Sequence, residues 1–333
     1  MPLSNAEIIR ALDAKTKPQG SLGRVEALAA QIASVQHSLS PIVERATLLL
    51  FAADHGVVAE GVSAYPQEVT RQMLLNFLAG GAAATVFARS VGVDVRVIDA
   101  GVAGDPVVHP DLLSRRIAPG TRNMADEPAM SAAQYERAIV AGRDLVAATP
   151  GEAICLGEMG IGNTSAAALI AAKLMGSPVR DLVGPGTGVD AAGLERKCTV
   201  LERAAARTAA TLAPADALRE YGGFEIVMMT GAALAGAASG RIVIVDGFIA
   251  TTAALAATGL NPASRDALVF AHRSAEPGHT LLLDRLGAQP LLDLGMRLGE
   301  GTGALLAWPL VKAAAAMLRE MATSADAGVS GHE

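Results

Sequence analysis

The sequence contains few aromatic residues, few cysteines and no cluster of positive charge. Aromatic side chains make up 3% of the 333 residues, and the two cysteines, Cys155 and Cys198, stand outside any CxxC or metal-ligand spacing. We therefore expect a reduced, cytoplasmic protein without a disulfide framework. The formal net charge is −6, from 33 acidic and 27 basic residues, and no run of Lys and Arg occurs. A protein that binds nucleic acid through its phosphates is not expected.

Long hydrophobic runs are also missing. The apolar segment 226–240 is the main candidate for a membrane span. It lies between Glu225 and Arg241 and is shorter than the roughly 20 residues that a membrane-spanning helix requires. We predict a buried helix there and no membrane span. Residues 1–17 have no apolar core, so a signal peptide is not expected. The final segment, 324–333, is predicted to be loose.

Several catalytic and cofactor motifs are absent. The sequence has no GxxxxGK(S/T) P-loop, no GxGxxG dinucleotide fingerprint after its first strand, no GxSxG nucleophile elbow and no HExxH zinc motif. Its six histidines are scattered. We expect neither a metal nor a bound cofactor. An NAD(P)-dependent oxidoreductase and a non-catalytic nucleotide-binding module remain alternatives. Tight NADH binding would indicate the first, and nucleotide binding without turnover would indicate the second.

Apolar, β-branched segments alternate with longer helical segments. Such runs are typical of strands buried on both faces of a parallel sheet, and the alternation predicts an α/β fold with a parallel Rossmann-like sheet flanked by helices. We expect a large α/β domain at 41–280 and a small helical domain formed by 1–40 and 281–333. Strands are predicted at 46–52, 93–100, 153–157, 241–247 and 266–271, and helices at 66–78, 131–148, 165–175 and 204–212.

Glycine-rich polar segments follow several of these strands. Because the carboxyl ends of parallel strands share one edge of the sheet, the segments are expected to form a single cleft. The segment GEMGIGNTS, 157–165, joins a strand to a helix, and its backbone N–H groups could bind a phosphate. A tight turn that requires glycine is the alternative. A second loop, GPGTGVD at 184–190, precedes Lys197, which would either add a positive charge for the phosphate or be solvated.

The segment LGEGTGA, 298–304, places Glu300 between two glycines in an apolar context. Glycine neighbours allow a ligand to approach the backbone closely, and apolar surroundings raise the pKa of a carboxyl group. Glu300 is therefore a candidate general base near neutral pH. The alternative is that Glu300 only caps the helix that follows.

Nine segments together resemble one enzyme family, the nicotinate-nucleotide–dimethylbenzimidazole phosphoribosyltransferases of cobalamin lower-ligand synthesis. They are KTKPQGSLGRVE (15–26), AADHGVVAEGVSAYPQEVTRQM (52–73), NFLAGGAA (76–83), GEMGIGNTS (157–165), GPGTGVD (184–190), GGFEI (222–226), VDGFI (245–249), SAEPGH (274–279) and RLGEGTGA (297–304). The resemblance covers nearly the whole chain, with Ser165 where Thr is expected and Pro185 where Arg is frequent.

The resemblance implies a reaction and an assembly. The 5-phosphoribosyl group of nicotinate mononucleotide is transferred to 5,6-dimethylbenzimidazole, which yields α-ribazole 5′-phosphate and nicotinate in the nucleotide-loop branch of cobalamin synthesis. The expected fold is a Rossmann-like sheet with a small helical domain built from both termini, and the expected assembly is a homodimer. The preferred azole is left open.

The resemblance also implies roles for individual residues. Glu300 is the base that takes the proton of the azole, and Glu158 is a second catalytic candidate that supports the ribose or its developing positive charge. Tyr65 and Gln72 fall in the stretch that lines the benzimidazole pocket, with a core position as the alternative for Tyr65. Surface or capping roles are the alternatives for Lys197 and Ser274. The phosphoribosyl group is assigned to Gly160, Gly162, Asn163, Thr164, Lys197, Gly247 and Ser274.

Overall fold

A parallel sheet of six strands lies at the centre of the fold. The structure is a computed structural model that describes residues 3–186 and 188–329. All residues of the first strand are buried, as expected for a strand that helices cover on both faces. The strands are β1 (Ala46–Ala53), β2 (Asp94–Gly101), β3 (Leu112–Ser114), β4 (Ala153–Met159), β5 (Ile242–Val245) and β6 (Leu268–Phe270).

The strands are ordered β3-β2-β1-β4-β5-β6, and all neighbouring pairs are parallel. The chain moves from β1 to one edge of the sheet, returns to the centre, and continues from β4 to the other edge. The order therefore reverses between β1 and β4, where Phe51 pairs with Glu158. Loops that leave two adjacent strands in opposite directions open a crevice, and ligands of doubly wound sheets bind there.

The α-helices and three short 3₁₀ helices connect and flank the strands. Local signals set some boundaries: Ser131 Oγ accepts a hydrogen bond from Gln134 N (3.2 Å), and the Gln134 side chain accepts one from Ser131 N (2.9 Å), which caps the helix that begins at Ala132. The helices are α1 (Asn5–Asp13), α2 (Arg24–Gln36), α3 (Glu68–Ala79), α4 (Ala83–Val91), α5 (Ala132–Ala147), α6 (Asn163–Met175), α7 (Ala191–Ala205), α8 (Pro214–Tyr221), α9 (Phe224–Ala238), α10 (Phe248–Leu260), α11 (Gly278–Arg285) and α12 (Thr302–Glu320), and the 3₁₀ helices are Gly56–Glu60, Val179–Leu182 and Pro262–Ala267.

The two faces of the sheet are covered by separate layers of helices. Successive side chains of a strand point to opposite faces, so Leu49 and Phe51 of β1 pack into one hydrophobic core and Leu48 and Leu50 pack into the other. The first core contains residues of α5, α6, α9 and α10, and the second contains residues of α1, α2, α4 and α12. The fold is therefore the α/β sandwich that the sequence predicts.

The predicted strands and three of the four predicted internal helices are confirmed, with ends shifted by a few residues. Strand β3 was not predicted, because three residues carry no periodic pattern. The predicted helix at 204–212 is wrong. Helix α7 ends at Ala205, and the chain then turns. The buried Lys173 stabilises this turn, because its Nζ donates to the carbonyl oxygens of Ala205 and Ala209, each at 2.7 Å. This tertiary contact overrides the helix propensity of the alanines.

Two apolar segments bear on the expectation that no helix spans a membrane. The segment 226–240 belongs to α9, which is buried in the first core as predicted. The stretch Glu68–Val91 is, by length and composition alone, apolar enough to cross a membrane. It consists of α3 and α4, which are separated after Ala79, and both helices contribute buried residues to the second core.

The terminal segments pack against each other. Lys15 Nζ donates to Met321 O (2.7 Å), and α2 packs against α12. These helices also share the second core with the sheet, so α12 begins directly beside the carboxyl ends of β4 and β5. Of the tail predicted to be loose, residues 324–329 form a turn whose Ser324 N–H donates to Ala14 O (2.9 Å), and 330–333 lie outside the described residues.

Candidate active site

A cleft that is partly open to solvent lies beyond the carboxyl ends of β4, β5 and β6. Segments that follow three adjacent strands meet here, as the sequence predicts. The cleft is lined by Glu158, Met159, Gly160, Ile161, Asn163, Thr164, Gly186, Asp246, Gly247, Phe248, Ile249, His272, Ser274, Glu276, Arg297, Leu298 and Gly299.

Glu158 stands near the end of β4, where its carboxyl group is buried at the base of the cleft. Burial raises the pKa of Glu158 to about 8, and the negative charges of Asp246 and Glu225 add to this effect. The Asn163 side-chain amide donates a hydrogen bond to Glu158 Oε2, which opposes the rise. Glu158 is therefore mostly protonated near neutral pH in the ligand-free cleft.

Glu300 occupies a left-handed turn immediately before α12. Its φ is +62°, and its two neighbours in sequence, Gly299 (+86°) and Gly301 (+78°), also have positive φ. The turn touches β4, because a Cβ at Gly157 would lie 2.8 Å from Glu300 O. The buried carboxylate accepts a hydrogen bond at Oε2 from Ala84 N (3.3 Å), at the start of α4. Burial raises the pKa of Glu300, the Ala84 N–H lowers it, and the charge of Asp246 raises it further, with a net upward shift.

The glycine loop between β4 and α6 forms one wall of the cleft. Ile161 N donates to Thr70 Oγ1 (3.0 Å), which ties the loop to α3. Gly162 adopts a left-handed φ of +92° directly before the first turn of α6. Asn163 N donates to Gly160 O (3.1 Å) and Ser165 N donates to Gly162 O (3.1 Å), which closes the first turn of α6. The positive end of the α6 dipole lies beside the cleft at Asn163 and Thr164. This geometry suits an anion such as a phosphate.

Lys197 reaches the back of this loop from α7. Its Nζ donates to Thr164 Oγ1 (2.9 Å) and to Gly184 O (3.0 Å), and the residue is only 2% exposed. The alternative of a solvated lysine is therefore wrong. Burial lowers the pKa of Lys197 to about 8, and the charge of Glu276 opposes this. The neighbouring Gly186 O accepts a hydrogen bond from Arg297 Nη1 (2.7 Å), and Thr187 of the same loop lies outside the described residues.

Ser274 is held in the cleft by His279. Ser274 N donates to His279 Nδ1 (2.8 Å), so the ring proton resides on Nε2, which donates to Thr251 Oγ1 (2.9 Å). Burial lowers the pKa of His279 to about 3, which keeps the ring neutral. Ser274 Oγ in turn accepts a hydrogen bond from Glu276 N (3.3 Å). The serine is buried rather than on the surface.

Several buried polar residues of the site were assigned no role by the sequence analysis. Asp246 follows β5 and accepts hydrogen bonds from three backbone N–H groups of the Glu300 turn and α12. His272 Nε2 lies 3.6 Å from Asp246 Oδ1. His55 and Glu225 form a buried ion pair beneath Gly160. A charged residue directly after a fully apolar strand was the available signal for Asp246 and His55.

Comparisons with known proteins give the family. A sequence model of the phosphoribosyltransferase family matches residues 3–329. The nicotinate-nucleotide–dimethylbenzimidazole phosphoribosyltransferase of Cupriavidus necator is 54% identical over 335 residues, which cover 99% of this chain and 97% of that protein. The protein of the same name from Pseudomonas aeruginosa UCBPP-PA14 is 52% identical and covers 96% and 92%. A crystal structure of this enzyme from Thermus thermophilus superposes with a TM-score of 0.93, at 46% identity and 98% coverage of each chain.

The chain belongs to this phosphoribosyltransferase family. Within the site of this phosphoribosyltransferase, the structure brings most of the predicted residues together. Gly162 and Lys197 lie behind the wall formed by Thr164, and Glu300 is adjacent to Gly299, which packs against the Glu158 carboxyl group. The predicted residues that line the cleft directly are Glu158, Gly160, Asn163, Thr164, Gly247 and Ser274.

Tyr65 and Gln72 lie elsewhere in this phosphoribosyltransferase. Tyr65 is 48% exposed in the loop before α3, so a core position is excluded. Gln72 is exposed on α3. Neither is among the described residues that line the cleft. Their role in binding the azole stays a prediction.

Proposed function

We propose that this enzyme transfers the 5-phosphoribosyl group of nicotinate mononucleotide to 5,6-dimethylbenzimidazole and releases nicotinate. The names of the relatives support these substrates. The observation that carries the proposal is the placement of the strained Glu300 turn against Glu158, across Gly299, at the edge of the cleft. Two buried carboxyl groups with raised pKa values are then available at the reacting centre.

The phosphoribosyl group is proposed to bind along the glycine loop and the start of α6. The positive end of the α6 dipole and the Lys197 ammonium supply positive charge for the phosphate. Gly160, Gly162, Asn163 and Thr164 would contact the phosphate or ribose from one side. Gly247 and Ser274 would contact it from the segments after β5 and β6.

The chemistry requires one base. The C1′–N bond to the cationic pyridine ring breaks, and its electron pair returns to the ring nitrogen, so nicotinate leaves without protonation. One azole nitrogen forms the new bond to C1′ from the opposite face, which converts the β configuration to α. The proton of the other azole nitrogen passes to Glu300. General base catalysis of this kind accelerates a reaction about 10²- to 10⁴-fold.

Glu158 is proposed to act on the sugar and not on the azole. Its neutral carboxyl group ionises when a cationic pyridinium or a developing positive charge on the ribose comes close, because an opposite charge lowers the pKa of a carboxyl group. The carboxylate then stabilises the transition state. Much of the remaining acceleration would come from holding both rings and the ribose in line.

The azole pocket, the assembly and the location complete the proposal. Tyr65 and Gln72 are proposed to line the benzimidazole site once the substrates are bound. The enzyme is proposed to form a homodimer and to work in the cytoplasm, in keeping with two free, buried cysteines.

The test is an incubation of the purified enzyme with nicotinate mononucleotide and 5,6-dimethylbenzimidazole, followed by chromatography of both products. Equal amounts of nicotinate and α-ribazole 5′-phosphate are expected. Nicotinate alone would identify a hydrolase and reject the acceptor. Nucleotide binding without either product would identify a non-catalytic binding module. The Glu300→Gln variant, assayed in parallel, controls for turnover by a contaminating enzyme.

A further inference from the structure

We propose that Asp246 is the positioning residue that holds the Glu300 turn in its reactive conformation. Asp246 itself does not exchange a proton with the azole; it acts through Glu300. The inference rests on the proposed role of Glu300 as the base.

The contacts of Asp246 converge on the turn. Its Oδ2 accepts a hydrogen bond from Gly301 N (3.2 Å), and its Oδ1 accepts hydrogen bonds from Gly303 N (2.7 Å) and Ala304 N (3.1 Å). These three donors belong to the unpaired first-turn N–H groups of α12 and the residue before it. One carboxylate therefore fixes both the start of α12 and the residue that follows Glu300.

The turn needs such an anchor because its backbone is unfavourable for a residue with a Cβ. Gly299, Glu300 and Gly301 are three successive residues with positive φ. A left-handed conformation is easy for glycine and disfavoured for glutamate. A residue held in such a conformation persists only where its surroundings determine it. Asp246 supplies the bonds on the helix side, and Thr302 Oγ1, which donates to Gly299 O (2.8 Å), closes the turn on the other side.

The surroundings of Asp246 fix the position of its side chain. It follows the buried strand β5 and is itself buried, so its position is fixed by the sheet. His272 Nε2 lies 3.6 Å from its Oδ1. The three N–H groups and this imidazole favour the ionised carboxylate, which opposes the upward pKa shift that burial causes. The Asp246 carboxyl group, held in place by the sheet, thus defines where the Glu300 turn stands.

The decisive experiment is a double-mutant cycle of Asp246→Asn and Glu300→Gln. Asparagine keeps the size of Asp246 but has a single acceptor oxygen, so the turn loses part of its anchor. We expect Asp246→Asn to lower kcat about 30-fold or more, within the range of general base catalysis, with less than a threefold change in KM for nicotinate mononucleotide. In the Glu300→Gln background the same substitution should have no further effect on kcat, because residues that act as a unit are not additive. An equal loss in both backgrounds would show a general structural role and overturn the proposal.

Asp99→Asn is the matched control. Asp99 is a buried carboxylate at the end of β2 whose Oδ1 accepts a hydrogen bond from Val102 N (2.9 Å), but it does not contact the Glu300 turn. We expect kcat of this variant to stay within twofold of the wild-type value. A loss as large as that of Asp246→Asn would show that any buried carboxylate of the sheet has this effect, and would overturn the proposal.

A second variant covers the case in which Asp246→Asn does not fold. Thr302→Val removes only the hydroxyl that closes the turn. We expect about a tenfold loss of kcat that disappears in the Glu300→Gln background. A loss that persists there contradicts the proposal.

Amide hydrogen exchange of the segment 299–304 separates this inference from the proposed reaction. Faster exchange is expected in Asp246→Asn and not in Asp99→Asn, and unchanged exchange would overturn the anchoring role whatever the substrates are. If the wild-type enzyme forms no α-ribazole 5′-phosphate, the proposed reaction is rejected, and the exchange result still decides whether Asp246 holds the turn.

Discussion

His55 Nε2 lies 2.6 Å from Glu225 Oε1, and the two side chains, 170 residues apart in sequence, are 1% and 0% exposed. The pair supports the glycine loop, because a Cβ at Gly160 would lie 3.3 Å from His55 Nε2 and 3.4 Å from Glu225 Oε1. Burial lowers the pKa of His55, but the Glu225 carboxylate more than offsets this, and the net shift is upward. The pair therefore favours the protonated form of the His55 ring beneath Gly160.

The first prediction is that Glu225→Gln destabilises the fold by about 3–5 kcal/mol, because it leaves a buried charge without its partner. The pKa of His55 is higher in the folded protein than in the unfolded chain, so protonation of His55 stabilises the fold. This stabilisation is complete below about pH 6.5 and is lost as pH rises through the folded pKa. The gap between wild type and variant in urea unfolding should therefore be larger at pH 6 than at pH 9. An equal gap at both pH values would contradict the charged pair.

The second prediction is that Glu300→Ala keeps the affinity for nicotinate mononucleotide and lowers turnover by about 10²- to 10⁴-fold, since only the base is removed. Single-turnover kinetics and equilibrium binding measure the two quantities separately. A kcat similar to wild type would reject Glu300 as the base.

The third prediction compares Glu300→Gly with Glu300→Ala. Both variants lack the carboxylate, but only glycine adopts the φ of +62° without strain. The glycine variant should have a free energy of unfolding about 1 kcal/mol higher than the alanine variant. Thermal or urea unfolding gives this difference. An alanine variant of equal or greater stability would show that the turn is not strained.

The fourth prediction concerns Lys197. Lys197→Met should weaken the binding of nicotinate mononucleotide at least tenfold and leave the affinity for the free azole unchanged, because the ammonium contacts Thr164 in the wall that is proposed to bind the phosphate. The matched control is Lys173→Met. Lys173 is equally buried, but its Nζ bonds only carbonyl oxygens of the turn after α7, so it should affect stability and not nucleotide affinity. Equal nucleotide affinity in wild type and Lys197→Met would exclude a phosphate contact.

The fifth prediction follows from the pKa of Glu158 at about 8. Because this exceeds the value near 4.5 of an exposed glutamate, the folded protein retains a proton that the unfolded chain loses. The contribution of Glu158 to the free energy of unfolding is complete below about pH 4.5 and is lost as pH rises through about 8. Glu158→Gln, which stays neutral, should therefore gain stability relative to wild type between pH 5 and pH 8 in urea unfolding. A difference independent of pH would show that Glu158 is ionised in the free enzyme.

The local patterns of the sequence account for much of the fold. The apolar run that becomes β1 (Ala46–Ala53) predicts a strand from its local sequence alone. All eight of its residues are buried, as expected for a central parallel strand. The helix after Ser131 is predictable because its capping box lies within four residues. The helix predicted at 204–212 fails for the opposite reason. Its alanines favour a helix, but a lysine on a different helix, Lys173, binds the carbonyl oxygens that the helix would use.

Some features of the candidate site are likewise local in the sequence, and others depend on tertiary packing. Glycines around residues 157–165 and around Glu300 indicate close approach and left-handed turns, and these are local properties of the backbone. The burial of Lys197 and the exposure of Tyr65 are not local, since each depends on the segments that happen to pack alongside. The same holds for the ion pair of His55 and Glu225.

Local sequence patterns predicted five of the six described strands, the glycine loops and the candidate base, because hydrophobic periodicity and glycine content act over a few neighbouring residues. Packing between distant segments places three backbone N–H groups of the Glu300 turn and α12 on Asp246 and the Lys197 ammonium on Thr164, and it raises the pKa of Glu158. These contacts arise where strands β4 and β5 and the start of α12 meet. There the energy of a charge depends on partners that no local pattern records.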